Sequence, residues 1–265
     1  MDKRVAIVTG GTSGIGRATA LALRENGYTV YELSRRAEGM PGIPHIVADI
    51  TKEETLRSAV AQVLAAEGRI DLVVNNAGFG ISGAIEFTDT QEAQRLFDTL
   101  FFGMVRMNRC VIPLMRQQGH GRIVSISSVA APVPIPFQAY YSAGKAAINA
   151  YTMALANELR PFGVTVCAVM PGDIKTGFTA ARHKIIDGDD IYQGRIGRSV
   201  QRMEHDEQTG MDPVKVGRYI AAVASREGSH HPLYATRIDY KFFVFLTKVL
   251  PARFLNWLIY QLYGK

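Results

Sequence analysis

Along this chain, short runs of β-branched and other apolar residues alternate with longer stretches in which apolar positions recur at helical spacing. The runs at 4–9, 28–33, 44–48, 70–75, 121–127, 163–169 and 233–238 read as strands buried on both faces. The stretches at 15–26, 52–67, 91–117, 141–160 and 213–226 read as helices. In 17–26, for example, Ala18, Ala20, Leu21 and Leu23 are apolar, and Gly27 stops the helix. Alternation of this order predicts an α/β fold, a doubly wound parallel sheet with helices on both faces. A chain of 265 residues, 47% hydrophobic, can bury one large core, so 1–265 reads as a single domain.

The first strand run is followed at once by Gly10, Gly11, Thr12, Ser13, Gly14, Ile15 and Gly16. Strand, glycine-rich turn and helix together form a phosphate site. Glycines allow close backbone approach, and the helix start presents free N–H groups and the positive dipole end. Further along, Ser128 follows the strand run at 122–127, and Tyr141 precedes Lys145 by one helical turn. Positions i and i+4 share a helix face, so the ammonium is expected beside the phenol, lowering its pKa as an acid–base residue needs.

The spacing Gly-x-x-x-Gly-x-Gly after Thr9, Asn75-Asn76-Ala77-Gly78 after the strand at 71–74, Ser128, Tyr141-x-x-x-Lys145 and Pro171-Gly172 stand in one order over about 4–176. This set resembles the classical short-chain dehydrogenase/reductase family, which implies a Rossmann-type fold and a nicotinamide dinucleotide cofactor. By that resemblance, Gly10, Thr12, Ser13, Gly14, Ile15 and Gly16 hold the pyrophosphate end. Asp49 contacts adenine, and Asn76, Ala77, Gly78, Pro171 and Gly172 flank the cofactor, with Ile174 and Thr176 beside the carboxamide. Tyr141 exchanges a proton with the carbonyl oxygen, Lys145 lowers the Tyr141 pKa and holds the nicotinamide ribose, and Ser128 stabilises charge on the same oxygen. Tyr140, one residue early, points off the Lys145 face. One position departs from the pattern: Leu100 stands where the family carries an asparagine that holds a water next to the lysine, and leucine cannot hydrogen-bond. Asn108, eight residues on in the same helix, is a poor substitute.

The second strand run ends in Ser34-Arg35-Arg36, without the carboxylate that would accept bonds from an unphosphorylated ribose. Arg35 suits a 2′-phosphate as a planar, permanently charged fork, which favours NADP(H) over NAD(H). Glu32, inside the strand, is not expected to reach the ribose.

A net charge of +6 with scattered basic residues lacks the aromatic interleaving of a nucleic-acid surface. Cys110 and Cys167 read as small buried hydrophobes, and His45, His120, His183, His205, His230 and His231 show no metal-ligand spacing, so no metal is expected and surface or loop roles are favoured. The first strand run begins almost at Met1 with no apolar leader before it, which leads us to expect a cytoplasmic protein.

The substrate end is less explicit. The glycine-dotted, charged stretch 177–210 occupies the position of a substrate lid. Within it Arg182, His183 and Lys184 could meet an acidic substrate, although a solvated lid helix is the simpler reading. Phe79, Ile81, Val129, Val133, Ile135, Pro136 and Phe137 are candidates for an apolar pocket wall, suiting a steroid- or lipid-like molecule. The extension 240–265 is strongly apolar, broken by Lys248, Pro251 and Arg253, and too short on either side to span a bilayer. Residues 254–262 have helical spacing, and the extension could pack on the domain, cover the pocket, join a dimer or, least favoured, lie on a membrane. The sequence thus predicts an NADP(H)-dependent oxidoreductase, a carbonyl reductase, interconverting a ketone and a secondary alcohol on a hydrophobic substrate. It would act as a homo-oligomer built on 91–117 and 141–160. An NAD-dependent alcohol dehydrogenase and a non-catalytic dinucleotide-binding sensor are the competing readings.

Overall fold

The computed structural model describes residues 3–226 and 231–265; His230 lies outside them. The chain runs β1 (Val5–Thr9), α1 (Gly14–Glu25), β2 (Thr29–Ser34), β3 (His45–Val47), α2 (Glu53–Glu67) and β4 (Leu72–Asn75). A short β5 (Ile81–Ser82) leads to α3 (Thr90–Phe97), α4 (Gly103–Gln118), β6 (Gly121–Ile126), α5 (Ala139–Leu159) and β7 (Val164–Met170). The remainder comprises α6 (Phe178–Ala181), β8 (His183–Lys184), α7 (Arg195–Gln208), α8 (Pro213–Ser225), β9 (Leu233–Ala235), α9 (Ile238–Val249) and α10 (Ala252–Ile259).

Seven strands form one sheet in the order β3-β2-β1-β4-β6-β7-β9, with every pairing parallel. A parallel sheet must be covered on both faces. On one face Leu23 of α1 and Ile220 of α8 pack over Ala6 and Val124. The two helices approach closely, since a Cβ at Gly217 would lie 2.5 Å from the Ala18 carbonyl carbon. On the other face Val63 of α2, Met107 of α4 and Leu155 of α5 cover Ile7 and Ile123. The order of crossovers reverses between β1 and β4, and in such sheets a crevice opens at the strand carboxyl ends at that point.

Three differences from the sequence expectations have physical causes. The helix expected over 91–117 is split by a π-helical turn, Asp98–Phe102, which carries the buried Leu100. The expected final strand stops at Ala235, because α9 begins three residues later. The stretch 177–210 holds α6, β8 and α7; β8 pairs with β5 in a second small sheet, Ile81 against His183. Cys110 and Cys167 are free thiols, Cys167 in the core and Cys110 half-buried. Among the described residues no helix is long and apolar enough to cross a membrane, and no cluster of His, Cys, Asp and Glu could hold a metal ion.

Candidate active site

The glycine-rich turn joins a buried strand to a helix start, and its backbone is fixed by contacts that side chains would obstruct. Gly10 (φ 65°) and Gly14 (φ 53°) adopt the left-handed conformation. A Cβ at Gly16 would stand 2.3 Å from the Gly10 carbonyl oxygen and 2.4 Å from Asn76 Nδ2. Thr9 Oγ1 accepts hydrogen bonds from the Asn76 and Ala77 backbone N–H groups at 3.0 and 3.2 Å. Asn76 Nδ2 donates to the Thr9 and Gly10 carbonyls at 3.0 and 3.1 Å. Thr9 and Asn76 thereby tie the turn to the loop after β4. The N-cap residue of α1, Ser13, makes no side-chain cap bond, and the first turn contains no acidic residue. Its N–H groups and dipole end are left for an anion, so these residues fit a pyrophosphate.

The turn opens into a cleft of about 1100 Å³. Thr12, Ser13, Gly14 and Ile15 line one part of it, Arg35 and Asp49 another, and Asn76, Ala77 and Gly78 a third. Pro171, Gly172, Ile174 and Thr176 also line it, together with Ser128, Tyr141 and Lys145. Gly16 lies beneath the turn rather than at the cleft surface. Burial pushes the Asp49 carboxyl up, but hydrogen bonds from Thr51 and the charge of Arg35 outweigh it and hold it below the ordinary range. Glu32 is fully buried, pairs with His45 and does not line the cleft. His45 also joins its other ring nitrogen to the Arg36 carbonyl oxygen at 2.9 Å. Glu32 receives a backbone hydrogen bond from Gly11. This pair therefore links the glycine turn to the Arg35–Arg36 turn, a supporting role beyond the surface or loop position expected of His45.

Ser128, Tyr141 and Lys145 converge on the cleft. Lys145 is buried, and its Nζ donates to the Ile126 carbonyl at 2.7 Å while lying 5.5 Å from the Tyr141 ring centroid. The i, i+4 geometry therefore forms, but the electrostatic outcome differs from the expectation. Burial pushes the Tyr141 phenol up to about 12, against the opposing pull of the Ser128 hydrogen bond and the charge of Arg182. Desolvation lowers Lys145 to about 7. Burial thus outweighs any acidifying influence on the phenol, because removing water disfavours the charged form of both groups. The Tyr141 ring remains partly open to the cleft, so cleft water offsets some of that rise. Tyr140 packs on the same apolar cluster as Tyr141 but does not line the cleft, and it is the Tyr141 ring that Lys145 faces.

Leu100 fills the space between two glycines: a Cβ at Gly78 would meet its Cδ2 at 2.4 Å, and one at Gly144 its Cδ1 at 3.5 Å. Behind it a cavity of about 10 Å³, the size of about one water, is lined by Leu100, Lys145, Asn75 and Thr9. Asn108 is engaged elsewhere, accepting from Asn75 Nδ2 at 2.8 Å.

The stretch 177–210 departs from several expectations. Arg182 is buried in an ion pair with Glu207, His183 pairs with Glu92 at 3.0 Å, and Lys184 pairs with Glu204. All three are engaged in pairs with carboxylates instead of presenting free charge to an acidic substrate. Of the apolar wall candidates, Phe79 lines the cleft, whereas Ile135 and Phe137 are covered by Ile196, Val200 and Met203 of α7. Ile81, Val129, Val133 and Pro136 do not line it either. Phe178 takes their place, its ring 5.7 Å from that of Tyr141. Its signal in the sequence was slight, an aromatic two residues after Thr176; the sequence singled out Arg182 but not its partner Glu207, which lies in a helix whose position only the fold sets.

The short chain dehydrogenase family model matches residues 4–185. A 3-ketodihydrosphingosine reductase of Bacteroides thetaiotaomicron is 37% identical over 261 residues, covering 97% of this chain and 94% of that protein. An NADPH-dependent 1-acyldihydroxyacetone phosphate reductase of Schizosaccharomyces pombe is 34% identical over 182 residues, 66% of this chain and 61% of that protein. Among solved structures, a short-chain dehydrogenase from Streptomyces avermitilis superposes with a TM-score of 0.82 at 32% identity, covering 92% of each chain. Fold, cleft and relatives agree, and the chain belongs to the short-chain dehydrogenase/reductase family of NAD(P)-dependent oxidoreductases acting on the CH–OH/C=O pair.

Proposed function

We propose that this enzyme is an NADP(H)-dependent reductase of a lipid-like ketone, with a long-chain 3-keto amine of the 3-ketodihydrosphingosine kind as its substrate class. The observation that carries the substrate reading is the reach of the similarity. The match to the 3-ketodihydrosphingosine reductase extends well past residue 185, through the stretch 177–210 and into the C-terminal helices, and so is not confined to the cofactor half. The match to the acyldihydroxyacetone phosphate reductase, also a lipid ketone reductase by name, covers 66% of the chain. Preference for the phosphorylated cofactor is supported by Arg35 and Arg36 at the cleft and by the burial of Glu32, the nearest acidic residue on β2.

When bound, the dinucleotide supplies the hydride. Tyr141 donates its phenolic proton to the carbonyl oxygen, and Ser128 hydrogen-bonds the same oxygen as negative charge develops there. A phenol held protonated at neutral pH suits reduction; alcohol oxidation needs the phenolate and is expected to rise with alkaline pH. Lys145, with one hydrogen bond spent on Ile126, keeps its other donors for the ribose side of the cleft. Phe79 and Phe178 supply apolar wall. Exposed Phe102 and Met153, on the α3–α4 turn and on α5, support a homo-oligomer assembled on those helices.

The test is NADPH oxidation, followed by absorbance, with 3-ketodihydrosphingosine, an acyldihydroxyacetone phosphate and short ketones. We expect the long-chain keto amine to be reduced fastest, and Tyr141→Phe to lower turnover by about 10²–10⁴-fold with NADPH affinity retained. Equal rates on short ketones would overturn the lipid reading, and an unchanged rate in Tyr141→Phe the assigned acid.

A further inference from the structure

We propose that α9 and α10 form a docking surface for an anionic phospholipid bilayer. α9 has twelve residues and none of them is buried, although its composition is apolar. Ile238, Phe242, Phe245 and Val249 follow one another at i, i+4, i+7 and i+11, which places them on one side of the helix, and all four are exposed, Ile238 by 82% and Phe242 by 59%. Lys241 and Lys248 are exposed along the margin of this stripe. After the turn at Pro251, α10 adds Phe254 and Trp257, stacked at 5.8 Å and both about half exposed. Large apolar side chains aligned in this way mark an interaction surface.

Charge identifies the occupant. From Arg237 to Lys265 the chain contains five basic residues, Arg237, Lys241, Lys248, Arg253 and Lys265, and one acidic residue, Asp239, which is paired with Arg237. A second copy meeting this face across a two-fold axis would set these cations against themselves, and the cores of protein interfaces are depleted in lysine. An anionic lipid surface reverses that sign: the rings enter the acyl boundary, the lysines meet head groups, and an exposed tryptophan suits the interface between them. Neither helix is long enough to span, so the pair lies in the plane of the surface.

The face is also coupled to the cleft. The Tyr240 ring rests on Gly172, where a Cβ would lie 2.0 Å from it, and its hydroxyl accepts from the Asp173 N–H at 3.0 Å. Beyond α10, Arg195 of α7 donates to the Gly264 carbonyl at 2.6 Å, and Tyr263 donates to Asp206 at 3.0 Å. The lid helix and the cleft margin are thus held by the same segment that meets the bilayer. The proposal rests on exposure and charge and does not depend on which ketone is reduced.

Trp257 is the single tryptophan of the chain, which makes its emission a direct probe. The 265-residue protein is mixed with phosphatidylcholine vesicles, with and without phosphatidylglycerol, sedimented, and its emission recorded. Pelleting with the phosphatidylglycerol vesicles is expected, with a blue shift, quenching by brominated lipid, and release by high salt. Lys241→Gln and Lys248→Gln are each expected to weaken partitioning about fivefold. Phe242→Ser combined with Phe245→Ser should remain in the supernatant while melting and binding NADPH as the parent does. Failure of the parent protein to pellet, or emission indifferent to brominated lipid, overturns the proposal. So does a double variant that keeps its vesicle affinity but loses a dimer in analytical ultracentrifugation, which would make a second copy the occupant.

Discussion

The glycine turn and the lid are both held by hydrogen bonds around one cleft, yet they are built on opposite principles. At the turn, the partners of Gly10, Gly16, Thr9 and Asn76 are mostly backbone atoms, and the constraint is lack of space for a Cβ. At the lid, position is set by charged side chains from distant parts of the chain: Arg182 with Glu207, His183 with Glu92, Lys184 with Glu204. A backbone cradle is insensitive to most of the sequence around it, so it serves any nicotinamide dinucleotide. A lid fixed by side-chain pairs can be re-aimed by single substitutions, and that is where substrate choice is expected to vary.

The largest effect that tests this contrast is Lys145→Met at the boundary between the two regions. Turnover should fall by orders of magnitude, while the protein becomes more stable. With Lys145 lowered to about 7 from its ordinary value, the folded state binds fewer protons than the unfolded chain between about pH 7 and 10.5. The penalty for burying the amine is full below about pH 7 and gone above about 10.5. The melting temperature of Lys145→Met should therefore exceed that of the parent most at about pH 6, and the gap should close as pH rises. A lower melting temperature at neutral pH would show that the buried amine contributes more in hydrogen bonding than it loses in solvation.

Next in size is Arg182→Met, which leaves Glu207 without its buried partner and is expected to destabilise by about 3 kcal/mol. It also removes the cation whose charge pulls the Tyr141 pKa down. The alkaline limb of alcohol oxidation should move to higher pH, measured as a pH–rate profile at saturating cofactor. A loss of stability with an unmoved profile would reduce Arg182 to a lid fastener. Smaller still, Arg35→Asp should weaken NADPH by about tenfold or more while sparing NADH, by titration of both cofactors. Equal losses would remove the phosphate from the role of that turn.

The smallest effect is expected at Leu100. Leu100→Asn restores a hydrogen-bonding group beside the one-water cavity that touches Lys145. We expect a modest rise in turnover with cofactor affinity unchanged, and a lower melting temperature, because an apolar side chain packed on Gly78 and Gly144 is lost. An unchanged rate would mean that proton exit already has another route.

The glycine turn and the seven strands were legible in the sequence because each depends on neighbours close along the chain, and Ser128, Tyr141 and Lys145 were legible through the family resemblance that the ordered motifs carry. Strand runs announce themselves by composition, Gly10 and Gly14 by a backbone conformation other residues avoid, and Tyr141 and Lys145 by the pitch of a helix. The sequence by itself therefore marked the glycine turn and the Ser128, Tyr141 and Lys145 set at the cleft, but not Phe178 or most of its apolar wall. Tertiary structure alone decided their protonation, since Lys145 weakens and Tyr141 rises only when distant elements exclude water from them. It also decided that the Arg182 charge acts on Tyr141, that Ile135 and Phe137 lie under α7, and that α9 presents its aromatic stripe outward. Burial, dielectric and exposure are sums over the whole chain, and no local pattern encodes them.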